Sequence, residues 1–353
     1  MKMNLFEQYC LNDPNSDRVF VIAELSANHN QNFEIAVETI RAAKEAGADA
    51  IKLQTYTADT ITIDCDNPYF QIKQDTLWDG TTLYKLYQQA YTTWEWQPKL
   101  KQIAEEEGLV FFSSPFDKSA VDFLETMDVP AYKIASFEIT DIPLIEYVAS
   151  KGKPVIFSTG IATREEIEDA IQACRRVGNE HIAMLKCTSS YPAPIELANL
   201  KMIPAMREDF GVPVGLSDHT MEGIVPVAAV ALGARIVEKH FILDRSIGGP
   251  DSTFSMEKDE FKKMVQDIRQ VEKALGKVSY ELSEKVKNNR KFARSLFVVK
   301  DMKKGDIITE ENVKSIRPGD GLAPRYLPEI MGEEVICNIK TGTPFDFKFI
   351  KRK

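Results

Sequence analysis

Two of the chain's four histidines stand in matched positions. His219 closes the apolar run Val212-Pro213-Val214-Gly215-Leu216-Ser217-Asp218, and His240 closes Arg235-Ile236-Val237-Glu238-Lys239. A helical pattern, Glu222 to Leu232, separates them. Two successive βα units would set both imidazoles side by side at one rim of a parallel sheet, where α/β barrels keep their chemistry. A pair of neutral imidazoles can start a divalent-metal site, and each can equally be a structural donor or a base. Two ligands suit an exchangeable six-coordinate ion, completed by water and substrate, better than structural zinc. His181 falls at the opposite rim and reads as structural, whereas His29 follows the first run on the chemical rim and could support the site.

Other polar residues recur where the apolar runs end. Lys52, Lys133 and Lys186 hold equivalent places on three runs. A buried barrel strand has no structural need for a lysine there. With the hydroxyls of Ser136, Ser158 and Ser217 they predict a pocket for phosphate or carboxylate. Glu24 ends the first run, either as salt-bridge partner of a rim lysine or as an acid, base or hydroxyl-orienting group. The turn Gly248-Gly249-Pro250-Asp251 sets Asp251 near the rim, although turn chemistry alone would explain it. Arg317, in Ile316-Arg317-Pro318-Gly319-Asp320-Gly321, reads by itself as part of a surface turn.

The elements that must position these residues follow from periodicity. Strand-like runs are Val19–Glu24, Ala50–Gln54, Leu109–Ser113, Ala131–Ala135, Pro154–Ser158, Ile182–Cys187, Val212–Leu216 and Arg235–Lys239. Helical patterns lie between them. In Thr163 to Val177, Ile167, Ala170, Ile171 and Cys174 recur at helix spacing behind a Thr163/Glu166 capping box. A last helix with Phe261, Met264, Val265, Ile268, Val271 and Leu275 on one face stops at Gly276. Eight such units over about 260 residues predict a closed (β/α)8 TIM barrel. An open doubly wound sheet is the alternative, but no G-x-G-x-x-G follows the first strand. The segment Thr55 to Trp94 exceeds a simple loop and is either a packed insertion with its own core or a roof over the rim. Beyond Gly276 the βα alternation stops. Ser283 to Arg294 is polar and basic, like a linker. A small, mostly β domain over 295–353 contains a weak repeat, in which Val299–Ile308 aligns with Ile336–Phe345 as strand, glycine turn, strand.

The formal charge of −9 argues against a nucleic-acid partner, since a phosphate backbone rewards a basic face. It leaves room for a small anionic substrate. Five widely spaced cysteines (Cys10, Cys65, Cys174, Cys187 and Cys337) without a CxxC predict reduced thiols in a cytoplasmic protein. The polar segment Met1 to Asp17 does not resemble a signal peptide, and no run reaches the roughly 18 apolar residues of a membrane span.

Taken together the chain resembles the sialic acid synthase family. The resemblance rests on Ala23-Glu24-Leu25-Ser26-Ala27-Asn28-His29, Tyr132-Lys133-Ile134-Ala135-Ser136-Phe137-Glu138, Phe157-Ser158-Thr159-Gly160, Gly215-Leu216-Ser217-Asp218-His219, Glu238-Lys239-His240-Phe241, Gly249-Pro250-Asp251 and Arg317-Pro318-Gly319. The non-glycine stretch Leu25-Ser26-Ala27, the segments Leu77-Trp78-Asp79-Gly80, Leu83-Tyr84-Lys85-Leu86-Tyr87 and Trp94-Glu95-Trp96, and Ser189 where sialic acid synthases commonly have asparagine, look like the family's pseudaminic branch. The resemblance implies a TIM-barrel catalytic domain over 1–282, a linker over 283–294 and an antifreeze-like SAF domain over 295–353. It further implies a transferase that condenses phosphoenolpyruvate with an open-chain acetamido sugar, which for this branch is 2,4-diacetamido-2,4,6-trideoxy-L-altrose. His219 and His240 would hold Mn2+, with Co2+ or Mg2+ as alternatives, and with Glu24 would form the catalytic group. Lys52, Lys133, Ser136, Ser158 and Ser217 would bind phosphoenolpyruvate. Glu138, Tyr191 and Asp251 would contact the sugar, joined by Arg317 of the partner subunit in a domain-swapped homodimer. Three alternatives stay open: an N-acetylneuraminate or legionaminate synthase, a Schiff-base enzyme using Lys133 or Lys186, and a carbohydrate-binding protein without catalysis.

Overall fold

The computed structural model describes residues 18–73 and 77–351, so the polar segment 1–17 with Cys10 lies outside the described residues. The chain divides into two compact units that meet between Gly276 and Lys277. The first is a closed barrel of eight parallel strands: β1 (Phe20–Glu24), β2 (Ala50–Thr55), β3 (Val110–Pro115), β4 (Tyr132–Ile134), β5 (Val155–Ser158), β6 (Ile182–Cys187), β7 (Val214–Asp218) and β8 (Ile236–His240). Every expected run contains a strand whose ends differ by at most two residues. Pairing of β1 with β8, from Phe20–Ile236 to Glu24–His240, closes the ring and excludes the open sheet.

Strand side chains alternate between the two faces, so inward positions repeat every second residue. Inward residues near the strand starts are apolar: Phe20, Ile22, Ala50, Phe112, Ala131, Ile156, Ala183, Leu185 and Ile236 form one buried inner cluster. Two residues further along, the same parity delivers Glu24, Lys52, Lys133, Ser158, Cys187 and Glu238, and then Gln54 and His240. Gly215 keeps this parity on β7 because a Cβ there would come within 2.4 Å of the Ile236 carbonyl oxygen. The barrel therefore has an apolar plug below and a polar mouth above.

Outward residues pack against the helices in a second, larger core. The helix Arg164–Arg176 begins with the expected capping box: Thr163 Oγ1 accepts from Glu166 N–H, and Glu166 accepts from Thr163 N–H at 2.7 Å. The helix Lys258–Leu275 ends at Gly276, whose φ of +53° favours glycine. It buries Phe261, Met264, Val265 and Ile268, while Leu275 is half exposed.

The second unit has its own core around Leu296, Val298, Ile308, Val313 and Ile330. A short helix, Glu284–Asn289, occupies much of the stretch read as a linker, and Ser283 caps it. Two antiparallel strands follow, β9 (Ser295–Val298) and β10 (Val313–Ile316). The aligned repeat is visible in the backbone: Met302 and Ile339, equivalent positions in it, exchange two hydrogen bonds of 2.8 Å. Gly305 and Gly342, also equivalent, turn the chain with φ of +95° and +81°. Regular strand is scarcer than the strand, turn, strand reading of the repeat implied, since the repeat's arms are too short to extend these contacts beyond isolated bridges. Among the described residues no helix is long and apolar enough to cross a membrane.

One buried ion pair ties the ends of the histidine-bearing strands. Asp218 on β7 and Lys239 on β8 are register partners on the outer face, 2.5 Å apart, and Asp218 also accepts from the Thr220 hydroxyl at 2.8 Å. Lys239→Ala leaves that carboxylate buried without its cation, which destabilises by about 3–5 kcal/mol. Denaturant unfolding checks this, and a loss below about 1 kcal/mol would contradict a structural role for the pair.

Candidate active site

The barrel mouth opens into a cavity of about 770 Å³. Eleven of the residues singled out by sequence line it: Glu24, Lys52, Lys133, Ser136, Glu138, Ser158, Tyr191, Ser217, His219, His240 and Asp251. The twelfth, Arg317, belongs to the second unit and is exposed there in the loop after β10. Lys186 does not share the site. It has the outward parity on β6 and donates to Thr188 Oγ1 at 2.6 Å and to the Leu197 carbonyl. Its inward neighbour Cys187 faces the cavity instead. His29 also lies outside the cavity: Gln31 N–H donates to its Nδ1, so Nε2 carries the proton given to Thr92 Oγ1 at 3.1 Å. Burial pushes its pKa down to about 4 and keeps the ring neutral.

Four buried charges form the floor of the mouth. Lys52 Nζ is 2.7 Å from Glu24 and 3.7 Å from Glu238, and Lys133 Nζ donates to Glu238 at 3.0 Å. Ser217 donates to the same oxygen of Glu238, and Gln54 donates to Glu24, each at 3.0 Å. Burial alone would raise the Glu24 pKa, but the Lys52 charge, with His240 and Lys133 behind it, outweighs burial and holds the carboxyl down at about 2. Of the two readings for Glu24, the salt bridge is therefore present, and the carboxylate is ionised near neutral pH. Burial works against the Lys52 charge as well, yet Glu238 and Glu24 together raise its pKa. Glu238, whose carboxylate bridges both lysines, stands with His240 among the polar residues that end the strands in sequence, but nothing local there signals that it meets lysines from two other strands.

Glu138 behaves differently. Burial raises its pKa to about 7, with Lys133 only partly opposing, and its Oε2 is buried without a hydrogen-bond partner. The Ser158 hydroxyl is likewise buried and unpartnered. Ser136 Oγ lies 2.8 Å from Ser189 Oγ, and Gly160 makes room for that pair, since a Cβ there would lie 2.0 Å from Ser189 Oγ.

The imidazoles of His219 and His240 lie 5.3 Å apart between centroids. Tyr191 packs on His219 at 4.3 Å, and Phe254 packs edge-on against His240 at 5.0 Å. The Thr188 carbonyl, 2.9 Å from His219 Nδ1, can only accept, so Nδ1 carries a proton and Nε2 is the nitrogen that offers a lone pair when the ring is neutral. His240 Nδ1 is buried with no hydrogen-bond partner. Two imidazole nitrogens facing one polar cavity fit a loosely held divalent ion. Among the described residues no group of three or more His, Cys, Asp or Glu residues is assembled for a metal.

The insertion after β2 roofs the cavity rather than forming a separate core. Tyr56, Ile72, Trp78, Leu83, Leu86 and Tyr87 line its apolar side. Trp78 Nε1 donates to the Pro250 carbonyl at 2.9 Å and its ring meets Tyr191 at 5.7 Å. One wall thus offers charge and hydroxyls while the other offers apolar surface, as a ligand with an anionic part and an apolar part requires.

Comparison with known proteins matches residues 39–280 to the NeuB family and residues 293–351 to the SAF domain. The chain belongs to the NeuB family. It is 51% identical to the pseudaminic acid synthase of Campylobacter jejuni over 93% of this chain and 96% of that one. It is 48% identical to the pseudaminic acid synthase of Helicobacter pylori over 94% of this chain and 98% of the other. A crystal structure of an N-acetylneuraminic acid synthetase from Leptospira borgpetersenii, in complex with citrate, is 32% identical with a TM-score of 0.69, covering 77% of this chain and 90% of that one. The family resemblance carried by the sequence motifs is thereby borne out, as is the barrel with an SAF domain.

The raised Glu138 carboxyl makes a test of the cavity's polarity. Against an open-chain value of 4.5 and a folded value of about 7, its contribution to stability is complete below about pH 4.5 and is lost as pH rises through 7. Glu138→Gln should therefore leave stability unchanged at pH 4 and raise it by roughly 2 kcal/mol at pH 8, measured by denaturant unfolding of the ligand-free protein. A variant equally or less stable at pH 8 would contradict the burial argument.

Proposed function

We propose that this chain is a pseudaminic acid synthase, which joins phosphoenolpyruvate, water and 2,4-diacetamido-2,4,6-trideoxy-L-altrose into pseudaminic acid and inorganic phosphate. The observation that carries the reading is identity of 51% over 93% of the chain to a protein of that name, against 32% to the sialic acid synthetase of known structure. Family membership makes the chain a synthase of sialic-acid-like sugars; the choice of sugar is the finer step.

In this reading phosphoenolpyruvate lies against Lys133, Lys52 and Ser158. Both lysines are already paired with carboxylates, so the site has little excess positive charge. An ammonium has three N–H donors, and Lys133 gives one to Glu238 and keeps two for a ligand. The unpartnered Ser158 hydroxyl is a further donor, and Ser136 and Ser217 complete the set by reorienting from Ser189 and Glu238. The sugar lies towards Tyr191, Glu138 and Asp251, with its apolar groups under the aromatic roof. A divalent ion between His219 and His240, manganese in our reading, would supply Lewis-acid polarisation of the sugar aldehyde. Carbon 3 of the enol attacks the aldehyde carbon, water adds at carbon 2, and phosphate leaves from that carbon. Glu24, an ionised carboxylate fastened by Lys52, orients the water. Glu138 is the carboxyl able to exchange a proton near neutral pH. The reading includes a cytoplasmic homodimer in which Arg317 of the partner subunit meets the sugar, supported by its exposure at the surface of the SAF unit.

Phosphate release from phosphoenolpyruvate tests the reading across a panel of acetamido sugars with and without Mn2+. The L-altro diacetamido sugar should exceed N-acetylmannosamine and the legionaminic precursor by at least about tenfold in kcat/KM, a modest 1.4 kcal/mol of discrimination. His219→Ala should lower kcat/KM by about 10²–10³ and weaken Mn2+ binding followed by electron paramagnetic resonance. Phosphate release with N-acetylmannosamine alone would move the chain to the sialic branch, and none with any sugar would reject the synthase.

A further inference from the structure

Ser26 follows β1 in the left-handed backbone region, with φ of +47°. This conformation is uncommon for residues other than glycine, asparagine and aspartate, and a non-glycine residue held there at a cavity wall points to a function for its side chain. Ser26 lines the cavity and is only 2% exposed. Its hydroxyl makes a single hydrogen bond among the described residues, donating to Asp251 Oδ2 at 2.5 Å. The Ala27 N–H points at the same oxygen from 3.4 Å. That oxygen lies 3.9 Å from His240 Nδ1, the imidazole nitrogen that has no hydrogen-bond partner.

The loop carrying Asp251 has little conformational preference of its own, because Gly248 and Gly249 precede it with φ of +74° and +112°. Side-chain contacts therefore help to decide where the carboxylate sits. Trp78 donates to the Pro250 carbonyl, Asn30 to the Ile247 carbonyl and Ser255 to the Asp251 carbonyl, but among the described residues Ser26 is the side chain that donates to the Asp251 carboxylate itself. Glycine at position 26 would relax the backbone but would remove that last contact.

We infer that Ser26 is a positioning residue, held in an unfavourable backbone conformation because its hydroxyl fixes the Asp251 carboxylate at the sugar end of the cavity. The inference rests on the functional reading above, in which Asp251 faces the sugar. It differs from a purely structural role, in which the hydroxyl would only fasten two loops and its loss would lower stability without favouring one substrate over the other.

The test uses the full-length protein with Ser26→Gly and Ser26→Ala, each alone and combined with Asp251→Ala. Parent turnover of the diacetamido sugar is measured first; a parent that turns over no acetamido sugar overturns the functional reading and this inference with it. Ser26→Gly should keep or raise the thermal midpoint, by up to about 4 °C, because glycine relieves the left-handed conformation. Its KM for the sugar should rise about tenfold, the loss expected for one hydrogen bond to a charged group, while KM for phosphoenolpyruvate stays within about twofold. Ser26→Ala should show the same kinetic change without the gain in midpoint. In the Asp251→Ala background Ser26→Gly should change the sugar KM by less than about twofold, since a residue that acts through another has nothing left to act on. With the parent active, an unchanged sugar KM in both Ser26 variants, or an undiminished effect in the Asp251→Ala background, overturns the inference.

Discussion

Four buried charges hold the mouth of this barrel in register. Glu24 comes from β1, Lys52 from β2, Lys133 from β4 and Glu238 from β8, so the contacts among them reach across the seam where the barrel closes. Any one of these groups left buried alone would cost several kcal/mol, which binds the four positions to one another. Nearly balanced charge also shapes what the site can do. Lys52 is held protonated by Glu238 and Glu24 despite its burial, and both lysines are fixed at the cavity before a ligand arrives, so an anion meets fixed donors rather than mobile ones. The two carboxylates prevent an empty cavity from carrying uncompensated positive charge.

Around this cluster the cavity has a graded chemistry. Ionised groups sit deepest, hydroxyls and the two imidazoles line the middle, and the aromatic insertion covers the outer side. The Glu138 carboxyl is the exception, buried without a cation close enough to hold it ionised, and its raised pKa follows from that position. The same contrast between two carboxyls of one cavity leaves one ionised and the other able to exchange a proton near neutral pH.

Much of this was legible in the sequence because barrel strands have a period of two and end in polar residues. The apolar runs placed all eight strands to within two residues, and the inward parity explains why Lys52 and Lys133 share the cavity. Lys186 shows the limit of that reasoning: it stands near the end of its strand as the other lysines do, yet has the outward parity and faces away from the cavity. Ser26 and Glu238 were not legible in their roles, since a left-handed serine and a bridging glutamate are defined by partners more than 200 and 100 residues away in sequence. Arg317 belongs to a separate unit, and no local pattern can say which cavity such a residue serves. The branch-specific motifs of the insertion needed the family resemblance, because apolar and aromatic residues at helical spacing would equally describe a small independent core.

The central claim is that one cavity brings the lysine–carboxylate cluster and the two imidazoles to a single pair of reactants. A crystal structure of the protein with phosphoenolpyruvate and Mn2+ tests it most directly. The account predicts phosphoenolpyruvate oxygens within hydrogen-bond distance of the Lys133 ammonium and the Ser158 hydroxyl, with the ion bound by His219 and His240. Phosphoenolpyruvate bound outside the barrel mouth, or an ion held elsewhere while both imidazoles stay bare, would contradict it.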